Sequence, residues 1–139
     1  MRKLLLDTNP CIHLINGTHR NTRKRLETAL SQGIEILLSS VVIFELWYGV
    51  AKSHPNRREE NAQALRAFLA GPFVELAFTA EDALAAGEIR ASLEKAGTPI
   101  GAYDLLLAGQ ALCGDFTLIT ANVSEFSRVK GLRWKNWEV

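Results

Sequence analysis

Four carboxylates in this 139-residue chain stand where their surroundings give them chemistry to do. Asp7 closes the apolar run Leu4-Leu5-Leu6 and opens Asp7-Thr8-Asn9. An acid directly after a buried strand lies at the carboxyl edge of a parallel sheet, where ligands bind in that architecture. Asp7 equally suits the cap of a following helix, since Asp, Thr and Asn all cap well and Pro10 fits a first helical turn. Glu45 lies within Val41-Val42-Ile43-Phe44-Glu45-Leu46-Trp47, a helix apolar around most of its circumference, so its charge should meet something positive. The blander reading is a narrow polar stripe through Glu45, Gly49 and Lys52. Asp104 opens Tyr103-Asp104-Leu105-Leu106-Leu107-Ala108, in the first turn of a buried helix. Complementarity to the helix dipole is the bland account of it, a weak one here because a buried helix gains little from an acid unless the charge is also paired. After Thr120 come Ala121-Asn122-Val123-Ser124-Glu125-Phe126. This turn leaves the same sheet edge as Asp7 and brings a carbonyl oxygen and a further carboxylate, or else a turn residue and a solvated acid.

Several carboxylates facing one cleft repel each other unless a cation neutralises them. Oxygen donors without a His or Cys cluster favour Mg²⁺, with Mn²⁺ as a substitute, over zinc. Hard ions held by a few carboxylates serve phosphate chemistry, which makes phosphodiester hydrolysis the leading reaction class.

The elements that must position these acids follow from periodicity. Lys3 to Leu6, Glu35 to Ser39 and Thr117 to Thr120 are short apolar runs of the kind found in buried parallel strands. Helical spacing covers Pro10 to Asn16, Thr22 to Ser31, Val41 to Lys52, Arg57 to Leu69, Ala80 to Lys95 and Ala102 to Leu112. Val74 to Leu76 and Arg133 to Trp137 are weaker edge strands. Alternation of strands and helices predicts an α/β fold, a three-layer α/β/α domain with a central, mainly parallel sheet spanning residues 1–139.

Composition narrows the class further. Hydrophobic residues are 47% and charged residues 22%, with only 10 Gly and 4 Pro, so disordered, collagen-like and coiled-coil chains are excluded. The 16 basic and 15 acidic residues argue against a wholly basic coat protein or an acidic tail. Cys11 and Cys113 lie far apart and suggest neither a zinc site nor a disulfide framework. The run after Arg2 and Lys3 is too short for a signal segment or a membrane span, so a cytoplasmic protein is expected.

Taken in order, Leu5-Leu6-Asp7-Thr8-Asn9, Ser39 to Gly49, Ile100 to Ala108 and Thr120 to Phe126, with Val129 to Arg133 and Asn136-Trp137 near the end, resemble the PIN-domain ribonucleases of the VapC type. These are the toxins of bacterial VapBC toxin–antitoxin pairs. The resemblance implies that Asp7, Glu45 and Asp104 bind metal, with Thr8 shaping the first loop. Many members carry Asp where this chain has Asn122; the subgroup it most resembles has Asn there and an acid three residues on, matching Glu125. Glu125 is then the fourth acid and Asn122 a supporting polar ligand. The implied reaction is Mg²⁺-dependent endonucleolytic cleavage of RNA to a 5′-phosphate and 3′-hydroxyl, often of tRNA and in particular initiator tRNA. A homodimer and a VapB antitoxin are implied as well, with operator DNA contacted only through the antitoxin.

Grip on an RNA backbone needs cations. The candidate clusters are Arg20, Arg23, Lys24 and Arg25; Lys52, Arg57 and Arg58; and Arg128, Lys130, Arg133 and Lys135, each equally readable as a solvated helix face. Phe44, Trp47, Tyr48 and Phe68 are candidates for an antitoxin groove or dimer contact, with core packing expected for at least half.

Other readings fit less well. A haloacid-dehalogenase-like phosphatase needs an acid where Asn9 stands. A phospho-acceptor receiver domain expects paired acids near the start and a late Lys after a strand. A metal-free ribonuclease would recruit from His13, His19 and His54, which lie in dissimilar contexts without nearby partners. The alternative from another class is a PIN-fold module that binds RNA or an antitoxin with weak catalysis or none, a reading that Asn122 in place of an acid keeps open.

Overall fold

The computed structural model describes residues 3–139. Along the chain run β1 (Leu4–Leu6), α1 (Thr8–Asn16), α2 (Arg20–Ser31), β2 (Ile36–Ser39), α3 (Ser40–Ala51) and α4 (Pro55–Leu69). They are followed by β3 (Val74–Leu76), α5 (Ala80–Lys95), α6 (Ala102–Gly114), β4 (Thr117–Ile119), α7 (Val123–Phe126) and β5 (Trp134–Lys135). The strands form one sheet in the order β3-β2-β1-β4-β5. All four pairings are parallel, as expected when helical crossovers connect consecutive strands.

Burial follows from this order. β1 has hydrogen-bonded neighbours on both edges and helices over both faces, so each of Leu4, Leu5 and Leu6 is buried and an uninterrupted apolar run is required. β2 and β4 share that environment and are buried throughout, whereas the outer β3 is largely exposed. From β1 the chain moves outward through β2 to β3, then crosses back to add β4 and β5 on the other side. The direction of winding therefore reverses between β1 and β4, which places a crevice beyond their carboxyl ends.

The three central strands and the edge strand Val74–Leu76 lie where the apolar runs put them, each within a residue of the expected limits. α2 and α4 begin two residues earlier than expected and α6 ends two residues later, and three further details differ. α1 begins at Thr8, ahead of Pro10, because Asp7 already caps it. Residues 123–126 form a four-residue helix where a turn was expected. The last strand holds only Trp134–Lys135, since the Asn136 side chain accepts the Glu138 N–H at 2.9 Å and turns the chain, leaving Trp137 buried in the core. Cys11 is buried and Cys113 exposed, and both are free thiols. Among the described residues no helix is long and apolar enough to cross a membrane.

Candidate active site

Asp7 sits at the carboxyl end of β1 and is only 7% exposed. Its two oxygens have separate partners: the backbone N–H of Thr8 donates to one and the hydroxyl of Thr120 to the other, each at 2.8 Å. The capping role and the sheet-edge position are therefore both realised in one residue. Thr120, just past β4, also accepts the Asn122 N–H at 2.9 Å, which fixes the path of the turn that follows. The Asn122 side chain then reaches two acids. Its amide nitrogen donates to Asp104 at 3.2 Å and to Glu125 at 2.6 Å.

Asp104 arrives from the first turn of α6, whose buried face includes Leu105, Leu107, Ala108 and Ala111. That helix packs tightly on α5: a Cβ built on Gly109 would stand 2.7 Å from the backbone nitrogen of Ala86, so only glycine allows the approach. Glu45 comes from α3 and accepts the Thr8 hydroxyl at 2.9 Å. Among the described residues Glu45 joins no ion pair, so the positive partner expected for it is not found there. A neutral hydroxyl meets it, because the half-buried side chain is not enclosed deeply enough to require a counter-charge.

The electrostatics of the four acids are those of an unpaired cluster. None of the ion pairs among the described residues takes in Asp7, Glu45, Asp104 or Glu125. Burial pushes the Asp7 carboxyl above its ordinary value, opposed by its hydrogen bonds from Thr120 and Thr8 and reinforced by the charge of Glu125. Asp104 is pushed up to about 7 by burial, by sharing a hydrogen bond with Glu125, and by the charges of Asp7, Glu125 and Glu45. Glu125 is held below the usual carboxylate range by its contacts with Asp104 and Asn122 and, less strongly, by Arg128. Without a cation, Asp104 thus holds its proton more tightly than an ordinary carboxyl, beside a Glu125 that favours its charged form. Crowded carboxylates, Asp7 buried and the other three half-buried, that join no ion pair among the described residues form a donor set suited to a hard divalent ion.

Residues 4–132 match the model of the PIN domain. The chain belongs to the PIN domain family. Among related PIN proteins, Ribonuclease VapC2 of Rickettsia felis is 38% identical over 134 residues, covering 96% of this chain and 97% of its own. The tRNA(fMet)-specific endonuclease VapC of Salmonella typhimurium is 35% identical over 137 residues, covering 99% of both chains. The crystal structure of VapBC2 from Rickettsia felis bound to a promoter DNA fragment superposes with a TM-score of 0.88 at 36% identity, covering 96% of this chain and 98% of that one. The family, its VapC branch and the parallel α/β fold expected from the ordered sequence blocks are therefore all present.

All five residues singled out in the sequence fall in this crevice of the PIN fold, but Asn122 differs in detail from the oxygen ligand expected of it. It turns its amide nitrogen, not its oxygen, toward the acids, because two carboxylates attract a donor. Sequence reasoning missed Thr120, whose hydroxyl ties Asp7 to the turn; a Thr ending an apolar strand carries no distinguishing signal. It also separated His13 from His19, whose rings lie 4.1 Å apart. Gly17, left-handed at φ 66°, ends α1 and folds His19 back toward it.

Around the crevice, Phe44 and Tyr103 precede Glu45 and Asp104 and lean together at 5.5 Å, 50% and 48% exposed. Tyr48 is also exposed, whereas Trp47 and Phe68 pack against the core, so two of the four aromatics are core, within the expectation of at least half. Several candidate RNA-binding cations are engaged elsewhere: Arg23 with the Leu14 carbonyl, Arg128 with the Pro99 carbonyl and Arg133 with Asp115. Arg20, Lys24, Lys130 and Lys135 are exposed and take part in none of the ion pairs among the described residues.

Proposed function

We propose that this chain, as one domain over residues 1–139, is a Mg²⁺-dependent endoribonuclease and the toxin of a VapBC pair, blocking translation until a VapB-like antitoxin binds it. Asp7, Glu45, Asp104 and Glu125 are its catalytic acids. Asp7, Glu45 and Asp104 hold the ion, which Mn²⁺ replaces, and Asn122 supports the set. The observation that carries this reading is the cluster itself: four acids that join no ion pair among the described residues, at the switch point of a parallel sheet. Names of the relatives point the same way, two being a ribonuclease and a tRNA(fMet)-specific endonuclease and the structural relative a VapBC complex. Initiator tRNA is accordingly the first substrate to examine. A homodimer, operator DNA reached only through the antitoxin, and a cytoplasmic location complete the proposal.

When bound, the divalent ion lowers the pKa of attacking water and neutralises charge on the phosphodiester oxygens. The chain supplies the geometry. Asp7 is pinned at both oxygens and keeps free lone pairs for a cation. Thr8 orients Glu45. Asn122 keeps Asp104 and Glu125 together, and loading requires Asp104 to give up its proton. Arg20, Lys24, Lys130 and Lys135 are free to meet RNA phosphates.

Antitoxin-free protein should cut a structured RNA in Mg²⁺, and EDTA or Asp7→Asn should stop it. Cleavage independent of metal, or full activity in Asp7→Asn, sinks the mechanism. Tight RNA or antitoxin binding without cleavage identifies the binding module instead, the reading that Asn122 in place of an acid keeps open. New 5′ ends mapped in total cellular RNA identify the target.

A further inference from the structure

At the far end of α1 from Asp7 lies a second group of ligand-bearing side chains, of different chemistry. His13, from the last turn of α1, and His19, the residue capping α2, both present Nε2 to the carboxylate of Glu138. The separations are 3.3 Å from His13 and 3.6 Å from His19. Ligand atoms of all three lie within 4.8 Å of one another, and among the described residues this is the one such trio of His, Cys, Asp and Glu.

We propose that His13, His19 and Glu138 form a second cation site, for Zn²⁺, that ties the α1–α2 corner to the segment at 136–139. The spacing of the cluster leaves room for an ion between its members. An N–H···O bond runs about 2.7–3.2 Å, shorter than either separation here. Ligands at about 2.0–2.1 Å from a tetrahedral zinc stand about 3.3–3.4 Å apart, close to both. Side chains 25%, 36% and 25% exposed leave the fourth position to water.

The frame of the site is held without the ion. The Thr18 hydroxyl lies 3.4 Å from His13 Nδ1, the contact that turns Nε2 toward the carboxylate. Glu138 is anchored through its N–H to Asn136 at 2.9 Å, and Arg25 donates to the next carbonyl, that of Val139, at 2.7 Å. Two imidazoles and one carboxylate select zinc over magnesium, so this site and the acidic crevice differ in the metal they take. The inference does not depend on the ribonuclease reading.

The test uses the untagged full chain, stripped with EDTA and titrated with ZnCl₂ by calorimetry in excess Mg²⁺. One saturable Zn²⁺ per chain is expected. His13→Ala and His19→Ala should each weaken it at least about tenfold, and Asp104→Asn and His54→Ala should leave it unchanged. In the unmodified protein, NMR should show Zn²⁺ moving the ring resonances of two of the three histidines. Absence of saturable uptake, uptake unchanged in the double His variant or lost in Asp104→Asn, or ring shifts confined to His54 would overturn the proposal.

Discussion

The hydroxyl of Thr120 donates to Asp7 at 2.8 Å in the buried seam between β1 and β4, joining residues 113 apart in the chain. It accepts the Asn122 N–H as well, so one oxygen carries both the acid on the central strand and the turn that delivers the rest of the site. Thr120→Val keeps the shape and leaves an Asp7 oxygen and the Asn122 N–H without partners. The expected loss is about 1–3 kcal/mol, seen as a lower Tm, with Thr120→Ser recovering most of it. Divalent-ion affinity should fall in parallel.

Titration of the acid cluster sets a pH dependence whose sign follows from Asp104. Its carboxyl is raised to about 7 in the folded protein against 3.8 ordinarily, so the native state binds that proton more tightly than the unfolded state. The contribution of this group to stability is full at low pH and declines from about pH 4 to pH 7. Metal-free protein should therefore melt at a lower temperature at pH 8 than at pH 6. Asp104→Asn should flatten the difference, and Mg²⁺ should raise the pH 8 value. A metal-free Tm that rises from pH 6 to pH 8 would count against the raised Asp104 carboxyl.

Replacing the donor between two acids by a third acid is a sharper test of Asn122. In Asn122→Asp, two hydrogen bonds become two repulsions. Metal-free Tm should drop, while the Mg²⁺ concentration for half-maximal cleavage should fall several-fold, roughly the effect of about 1 kcal/mol of added attraction. Thermal melts with and without Mg²⁺ separate the two effects.

Gly109→Ala examines the scaffold rather than the acids. The added Cβ would meet the nitrogen, Cα and Cβ of Ala86 at 2.7–2.8 Å, and backbone on a packed helix does not yield cheaply. Overpacking costs about 1–3 kcal/mol, more than the roughly 1 kcal/mol of helix propensity gained. Urea unfolding should show the net loss. Because α6 must move outward, Asp104 retreats from Asn122 and divalent-ion affinity should weaken with it.

The parts of this site that were legible in the sequence are those where a charge interrupts an apolar pattern. Asp7 after three leucines, Glu45 within Val41 to Trp47 and Asp104 ahead of Leu105-Leu106-Leu107 each stand out because burial penalises an unpaired charge. Contacts between polar side chains left no such trace. Thr8 with Glu45, Thr120 with Asp7 and Asn122 with its two acids depend on which loops meet at the sheet edge, and threonine and asparagine are ordinary in loops. The histidines were obscured for a different reason: His13 and His19 meet through the left-handed turn at Gly17, and their partner Glu138 is 119 residues beyond His19, so no local spacing announces the trio. Gly109 resembled any helical glycine until Ala86 was placed against it.

The position of β1 at the centre of the sheet also governs how the crevice comes apart. The Asp7 amide donates to Ile119 in the next strand at 2.9 Å, and β1 is paired on both edges, so that proton should exchange with solvent only through global unfolding. Glu125 rides on a helix of four residues, too short to persist alone, and the Ser127 amide bonded to Val123 should exchange through local fraying. Hydrogen exchange on the metal-free chain should find these two amides at opposite ends of the protection scale. The crevice then has one wall that opens only when the whole protein unfolds and one that opens by itself.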